Sequence, residues 1–184
     1  MANVLVITSS QRKSSNSTLL AKSVAEGAEA AGHTVRPLDI SRMRIEPCRG
    51  CEGCHQPNSK GCVIKDDMQE VYPLVAEAEI LVLASPVYWF SMCGQIKQCI
   101  DRWYAIAIRP GQERIFANKK IAALLSYAGE DIFDSGGVNA LRIYQDICAY
   151  TGAEWLGAVY GMAAAPGEIP ADRLEEAHKL GARL

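Results

Sequence analysis

The sequence predicts an α/β protein built on a parallel sheet with helices on both faces, and three observations carry that expectation. Five short apolar runs alternate with segments of helical spacing. The central run, 80–84, is apolar without a break, as befits a strand covered on both faces. Strand–helix alternation sustained along the whole chain implies helices packed above and below one parallel sheet. At 184 residues the chain reads as a single domain, 1–184, with no internal repeat, linker or low-complexity segment.

The first strand is 4–7. A hydroxyl-rich, basic segment follows from Thr8 to Thr18. Leu19, Leu20, Val24 and Ala28 then fall at helical spacing with Gly32 as a stop, which predicts a helix over 17–31. Residues 34–40 form the second strand. From 41 to about 64 the chain is irregular and bears cysteines, after which Asp66-Asp67 cap a helix carrying Met68, Val71, Leu74 and Val75. Residues 80–84 are the third strand and 85–91 a loop, with Ser85-Pro86 turning the chain away from the sheet. A helix is expected from about 93 to 104, the fourth strand over 120–126, a helix over 137–151, the fifth strand over 154–160 and a last amphipathic helix over 171–183.

Composition narrows the function classes. A net charge of −2 without any run of like charge speaks against nucleic-acid and membrane-surface partners, and against a strongly acidic electron shuttle. No apolar run approaches the ~18 residues of a membrane span. Met1-Ala2-Asn3 leads straight into the first strand, so a cytoplasmic protein is expected, and its seven cysteines are read as reduced thiols or metal ligands.

Open sheets of this type bind ligands beyond the carboxyl ends of their strands. The loop after the first strand, Ser9-Ser10-Gln11-Arg12-Lys13-Ser14-Ser15-Asn16-Ser17-Thr18, suits a phosphate. Its hydroxyls and the N–H groups of a helix start donate hydrogen bonds, the helix dipole favours an anion, and Arg12 adds charge. It has neither GxGxxG nor GxxxxGK[ST], which points to a mononucleotide held by side-chain hydroxyls; an N-capped surface loop is the alternative. After the third strand, Tyr88-Trp89-Phe90 place three aromatics in a row, suited to a flat heteroaromatic ring, with at least one ring expected to pack under the following helix.

Together these two segments, and a cysteine cluster leading into C-V-I-K-D-D-M, resemble the NAD(P)H-dependent FMN reductases of the flavodoxin-like superfamily, of which the iron–sulfur flavoproteins are a branch. The second segment reads S-P-V-Y-W-F-S-M-C-G-Q-I-K-Q-C-I-D-R, and the resemblance spans about residues 3–160. It implies a flavodoxin-like three-layer sandwich with a five-stranded parallel sheet of order 2-1-3-4-5, and a likeness in activity: electrons pass from NAD(P)H through FMN to a small-molecule or redox-protein acceptor. The family pattern G-S-P-R-x-x-x-N-T falls on Ser9 to Ser17, with Ser9 and Gln11 where glycine and proline are usual. On that correspondence Ser10, Arg12, Asn16, Ser17 and Thr18 would hold the FMN phosphate. Pro86, Val87, Tyr88, Trp89 and Phe90 would line the isoalloxazine, and Ser126, Tyr127 and Gly129 would flank its other edge. A homodimer or homotetramer is implied, with Trp103-Tyr104 covering a partner subunit. Asp101 and Arg102 are read as salt-bridge residues, intrahelical or interfacial.

Cys48-x2-Cys51-x2-Cys54-x7-Cys62 puts four thiols within fifteen residues, with Gly50, Gly53 and Gly61 relieving the crowding of a wrapped loop. The spacing admits a [4Fe–4S] cluster, unmetallated thiols or zinc, and it matches the compact motif of the iron–sulfur flavoproteins. Cys93, Cys99 and Cys148 are small buried hydrophobes on helices, and His33, His55 and His178 show no ligand spacing. No Ser/His/Asp or Cys/His constellation suggests a catalytic side chain, so the chemistry is expected to be the flavin's own. Two other readings stay open: an electron carrier between redox proteins, with a [4Fe–4S] cluster on Cys48, Cys51, Cys54 and Cys62, and a zinc-bearing interaction module.

Overall fold

The computed structural model describes residues 1–107 and 114–184. In chain order the elements are β1 (Asn3–Thr8), α1 (Asn16–Ala30), β2 (Thr34–Asp39), α2 (Met68–Glu77), β3 (Ile80–Tyr88), β4 (Ser91–Met92), α3 (Gly94–Arg102), α4 (Tyr104–Ala107), β5 (Lys120–Tyr127), α5 (Gly137–Thr151), β6 (Glu154–Met162) and α6 (Ala171–Ala182). The long strands pair in parallel in the order β2-β1-β3-β5-β6, and β4 pairs antiparallel with β3. Apart from that two-residue return, this is the five-stranded order the sequence predicts.

Period-two alternation sorts the strand side chains into two layers. Leu5, Ile7, Leu81, Leu83, Ile121, Ala123 and Leu125 pack on one face, against Met68, Val71 and Val75 of α2, Ile96 and Cys99 of α3 and Tyr144 of α5. Val4, Val6, Ile80, Val82, Ala122 and Leu124 pack on the other, against Leu20 and Val24 of α1 and Ala177 and Leu180 of α6. Because both faces are covered, the three central strands are apolar through their middles, and their polar positions fall at the ends: Asn3 and Lys120 at the amino edge, Thr8, Ser85, Ser126 and the tyrosines at the carboxyl edge.

α1 and α6 approach unusually closely. A Cβ on Gly27 would lie 2.1 Å from the His178 carbonyl oxygen, and one on Gly181 would lie 2.1 Å from that of Val24. Glycine at both positions lets the two backbones touch.

Four local expectations are corrected. Residues 85–91 are not a loop: β3 runs on to Tyr88 and returns through Trp89-Phe90 to β4. Beyond Ala84 the strand has lost β1 as a neighbour, since β1 ends with Thr8 opposite Ala84. Pro86, opposite Ser126 of β5, is therefore tolerated as on a sheet edge. The helix expected over 93–104 stops at Arg102, and Trp103 separates it from α4. Trp103, expected to be free for a subunit contact, is buried within the chain, 3% exposed and packed on Phe116 with ring centroids 5.1 Å apart, while Tyr104 is exposed. At α2, Asp66 rather than Asp67 accepts the Met68 N–H (3.2 Å), while the Asp67 carboxylate takes the Arg44 N–H (2.7 Å).

Candidate functional site

Three strand ends, β1, β3 and β5, bring the sequence-predicted residues to one edge of the sheet. The end of β1 is clamped to β3 from beneath. Ser9, fully buried, donates its hydroxyl to Ala84 O (2.8 Å) and accepts from the Cys93 thiol (3.2 Å). The Cys93 N–H donates to Ser85 Oγ (2.9 Å). Ser9 thus keeps ordinary backbone geometry, and the left-handed residue of the loop is Ser14 (φ 54°). Gln11, where the family pattern has proline, donates its amide to Ser41 O (3.0 Å) and ties the loop to the chain after β2.

Ser10 Oγ accepts the Arg12 N–H (3.4 Å), and the Ser15 and Ser17 hydroxyls share a hydrogen bond (3.0 Å). Asn16, Ser17 and Thr18 open α1, so their N–H groups have no intrahelical acceptor and point out of the helix end. Asn16 is already committed elsewhere. Its oxygen accepts from Gly167 N–H (2.9 Å) and Ile169 N–H (3.2 Å), and its amide donates to Ala165 O (2.9 Å). It anchors the segment after β6 beside the loop that follows β1, a neighbour no pattern in the sequence foretold. Arg12 is exposed, and its guanidinium carbon stands 5.9 Å from the centroid of the Tyr88 ring. That contact joins the first loop to the aromatic segment.

Val87, Tyr88, Trp89, Phe90, Tyr127 and Gly129, all predicted for the ring site, line one open cavity of about 560 Å³ together with Ala128 and Ser135. Pro86 and Ser126 lie buried beneath it, paired in register. The expectation that one aromatic ring tucks under the next helix is not met: Tyr88, Trp89 and Phe90 are all exposed, Trp89 at 94%. Trp89 and Phe90 also take positive φ, 47° and 63°. Left-handed backbone costs a bulky residue of order 1–2 kcal/mol, so this turn stores strain beside the cavity. Burial, with Tyr160 adjoining, holds the Tyr127 hydroxyl above its ordinary pKa, and it stays neutral as a hydrogen-bond donor. The loop after β5 is closed by its own carboxylates: Asp131 Oδ1 accepts the N–H groups of Phe133 and Asp134 (both 2.7 Å), and Asp134 Oδ2 accepts that of Glu130 (3.1 Å). The dipeptide Gly136-Gly137 after this acidic stretch is the signal from which the loop could have been anticipated.

The cysteines gather at a second, separate place. Cys48, Cys51, Cys54 and Cys62 line one pocket, shared with Arg102 and Tyr104. Cys48 and Cys51 are exposed, Cys54 and Cys62 half-buried. Left-handed backbone at Gly50 and Glu52 wraps the loop, and a Cβ on Gly53 would meet Val63 at 2.8 Å. Among the described residues no three His, Cys, Asp or Glu side chains are gathered tightly enough to hold a metal ion as the chain stands.

Arg102 forms a salt bridge, though not within its own helix. It is 1% exposed and forms a bidentate pair with Asp66 (2.6 and 3.1 Å), with further donations to Glu46 O (2.7 Å) and Cys62 Sγ (3.4 Å). Its Nε, equally buried, has no partner among the described residues. Burial alone would raise the Asp66 carboxyl; the Arg102 guanidinium and the N–H groups of Glu46 and Met68 reverse this and hold it below the usual carboxylate range. Burial likewise works against the Cys62 thiolate, and the Ile64 N–H and Arg102 win, lowering its pKa. Asp101 pairs within α3, with Lys97 (2.6 Å). His55 sits outside the pocket lining, its ring 4.2 Å from that of Tyr104. Cys93, Cys99 and Cys148 are buried as expected, and burial pushes Cys99 up to about 12 and Cys148 to about 11.

Comparison with known proteins sets these two sites in context. A family model described as NADPH-dependent FMN reductase matches residues 2–165. The chain is 31% identical over 180 residues to an iron–sulfur flavoprotein of Archaeoglobus fulgidus, covering 97% of this chain and 76% of the relative. It is 26% identical to a putative NAD(P)H-dependent FMN-containing oxidoreductase of Bacillus subtilis, over 92% of this chain and 90% of the relative. An azoreductase structure from Bacillus anthracis superposes with a TM-score of 0.77 at 17% identity, over 100% of both chains, which is a likeness of fold.

Proposed function

Because this chain belongs to the NADPH-dependent FMN reductase family, we propose that its FMN lies in the crevice at the sheet edge, phosphate on the α1 N-terminus and ring in the aromatic cavity. The protein is an FMN-dependent oxidoreductase drawing on NAD(P)H. The observation that supports the placement is the Arg12–Tyr88 contact, which joins the basic loop before α1 to the cavity wall. Ser10, Arg12, Ser17, Thr18 and the first N–H groups of α1 would hold the phosphate, and Asn16 would keep the neighbouring segment in place. Val87 to Phe90 would line the ring on one side, with Tyr127 and Gly129 on the other and Pro86 and Ser126 as the floor. FMN held there would supply hydride acceptance and onward electron transfer; the part of these residues is orientation and hydrogen bonding. The acceptor is a small molecule or a redox protein. Exposed Trp89 and Phe133 favour a homodimer or homotetramer. No described helix is long and apolar enough to cross a membrane.

Arg12→Ala tests the phosphate end. FMN binding, titrated by flavin fluorescence, is expected to weaken by about 1–3 kcal/mol, the worth of a charge-assisted hydrogen bond. Unchanged affinity would remove Arg12 from the site.

A second reading, an iron–sulfur flavoprotein that carries electrons between redox proteins, is favoured by the cysteine pocket. The donor set is chemically suited to a [4Fe–4S] cluster: four thiols line one pocket, and the orphaned, buried Nε of Arg102 on its wall lacks an acceptor that a sulfide or thiolate would supply. Cys48, Cys51, Cys54 and Cys62 would be the ligands, and the cluster would supply one-electron transfer. With protein purified anaerobically, Cys51→Ala should abolish cluster absorbance and labile sulfide. A variant keeping both would take Cys51 out of the ligand set. In the wild type, stoichiometric iron with sluggish NAD(P)H turnover supports the carrier, and rapid flavin reduction without iron supports the reductase.

A further inference from the structure

We infer that Asn139 and Gly136, at the start of α5, are positioning residues that hold the aromatic turn at the mouth of the flavin cavity. This rests on the FMN placement above. Trp89 and Phe90 link β3 to β4 in two residues, with Tyr88 paired to Ser91 across the turn, and both have positive φ. Hairpin links of that length and hand take Asn-Gly or Gly-Gly, because a side chain there crowds the following carbonyl. Strain of this kind persists only where the surroundings over-determine it.

Two contacts do so here, and both come from one place. Asn139 Nδ2 donates to the Phe90 carbonyl oxygen (3.1 Å). Gly136 lies directly against Phe90: a Cβ there would stand 2.5 Å from Phe90 Cβ and 2.7 Å from its Cα. Gly136 needs glycine twice over, since its own φ is 70°. The segment that delivers both is itself fixed, with Val138 N–H donating to Ile132 O (3.1 Å) and Gly137 N–H to Ser135 Oγ (3.3 Å). One wall of the cavity, carrying Gly129 and Ser135, therefore continues into the brace of the opposite wall, Trp89 and Phe90. Loss of the brace lets the turn relax out of positive φ and changes the gap between the walls.

Asn139→Asp removes the donor while placing a carboxylate in the first turn of α5, where it favours the helix, so the fold is not the casualty. Asn139→Leu removes the donor without adding charge. FMN affinity, acceptor KM and kcat, thermal midpoint, and acrylamide quenching of Trp89 emission in the flavin-free protein are measured for both, alone and with Phe90→Gly. Alone, each should weaken FMN about three- to tenfold, as for one net hydrogen bond, with KM rising more than kcat falls. Each should also alter Trp89 quenching at an unchanged midpoint. With glycine at 90 the strain at that position is gone and only Trp89 keeps it, so the same changes should shift affinity clearly less than in the parent chain. Wild-type affinity and quenching in both variants, or equal losses in both backgrounds, overturn the assignment. A wild-type protein that binds no FMN would instead overturn the placement of the flavin, and the quenching comparison would still decide the brace.

Discussion

Arg102→Met should lower stability at neutral pH by about 3–5 kcal/mol, the usual cost of stripping a buried charge of its partner. The Asp66 carboxylate has no exposed surface, and the methionine would leave it without a cation, held only by the N–H groups of Glu46 and Met68. For a chain of this length each kcal/mol corresponds to about 2–4 °C in Tm, so a fall of roughly 10 °C is expected by calorimetry. The effect depends on pH with a definite sign. Asp66 is held below its unfolded pKa, so its contribution is present above about pH 4 and is lost as the pH falls through the depressed folded value. The gap between wild type and variant should therefore narrow in acid. A variant that melts within a degree of wild type at pH 7 would show that this pair does not hold the cysteine loop.

The second large effect is steric. Gly181→Ala, or Gly27→Ala, inserts a methyl group 2.1 Å from a carbonyl oxygen of the facing helix, where no side-chain rotation can relieve it. The helices must part, at a cost of about 3 kcal/mol, the upper range for overpacked cores. Chemical denaturation would read this as a lower midpoint at unchanged slope. Because α1 carries the proposed phosphate site at its N-terminus, FMN affinity should fall with it. Normal stability in both variants would mean that the α1–α6 crossing is looser than its geometry.

The strands, their order and the crevice were legible because they depend on patterns that tertiary context cannot easily override: apolar runs buried on both faces, and helices between them. The hairpin at 85–92 was not. Ser-Pro normally ends a strand, and only the early end of β1 makes proline acceptable there. Nor does Trp-Phe resemble a two-residue turn, since its positive φ is imposed by Asn139 and Gly136, some 50 positions away. The side-chain bonds of Asn16 were illegible for a related reason. A cap-like asparagine in a hydroxyl-rich loop looks like a ligand donor, yet a segment 150 residues on has claimed it. Arg102 followed an aspartate near a helix end, and nothing in the sequence distinguishes it from an ordinary surface pair. The cysteines were legible as a set, but the cation behind Cys62 comes from α3, after the intervening β3.

That helix links two places described separately above. Cys93 precedes it, pinned to Ser9 and Ser85 under the proposed flavin crevice, and Arg102 ends it at the wall of the thiol pocket. Nine residues of α-helix measure about 14 Å. The spacing between the proposed crevice and the thiol pocket is thus fixed by nine helical residues rather than left to a tether.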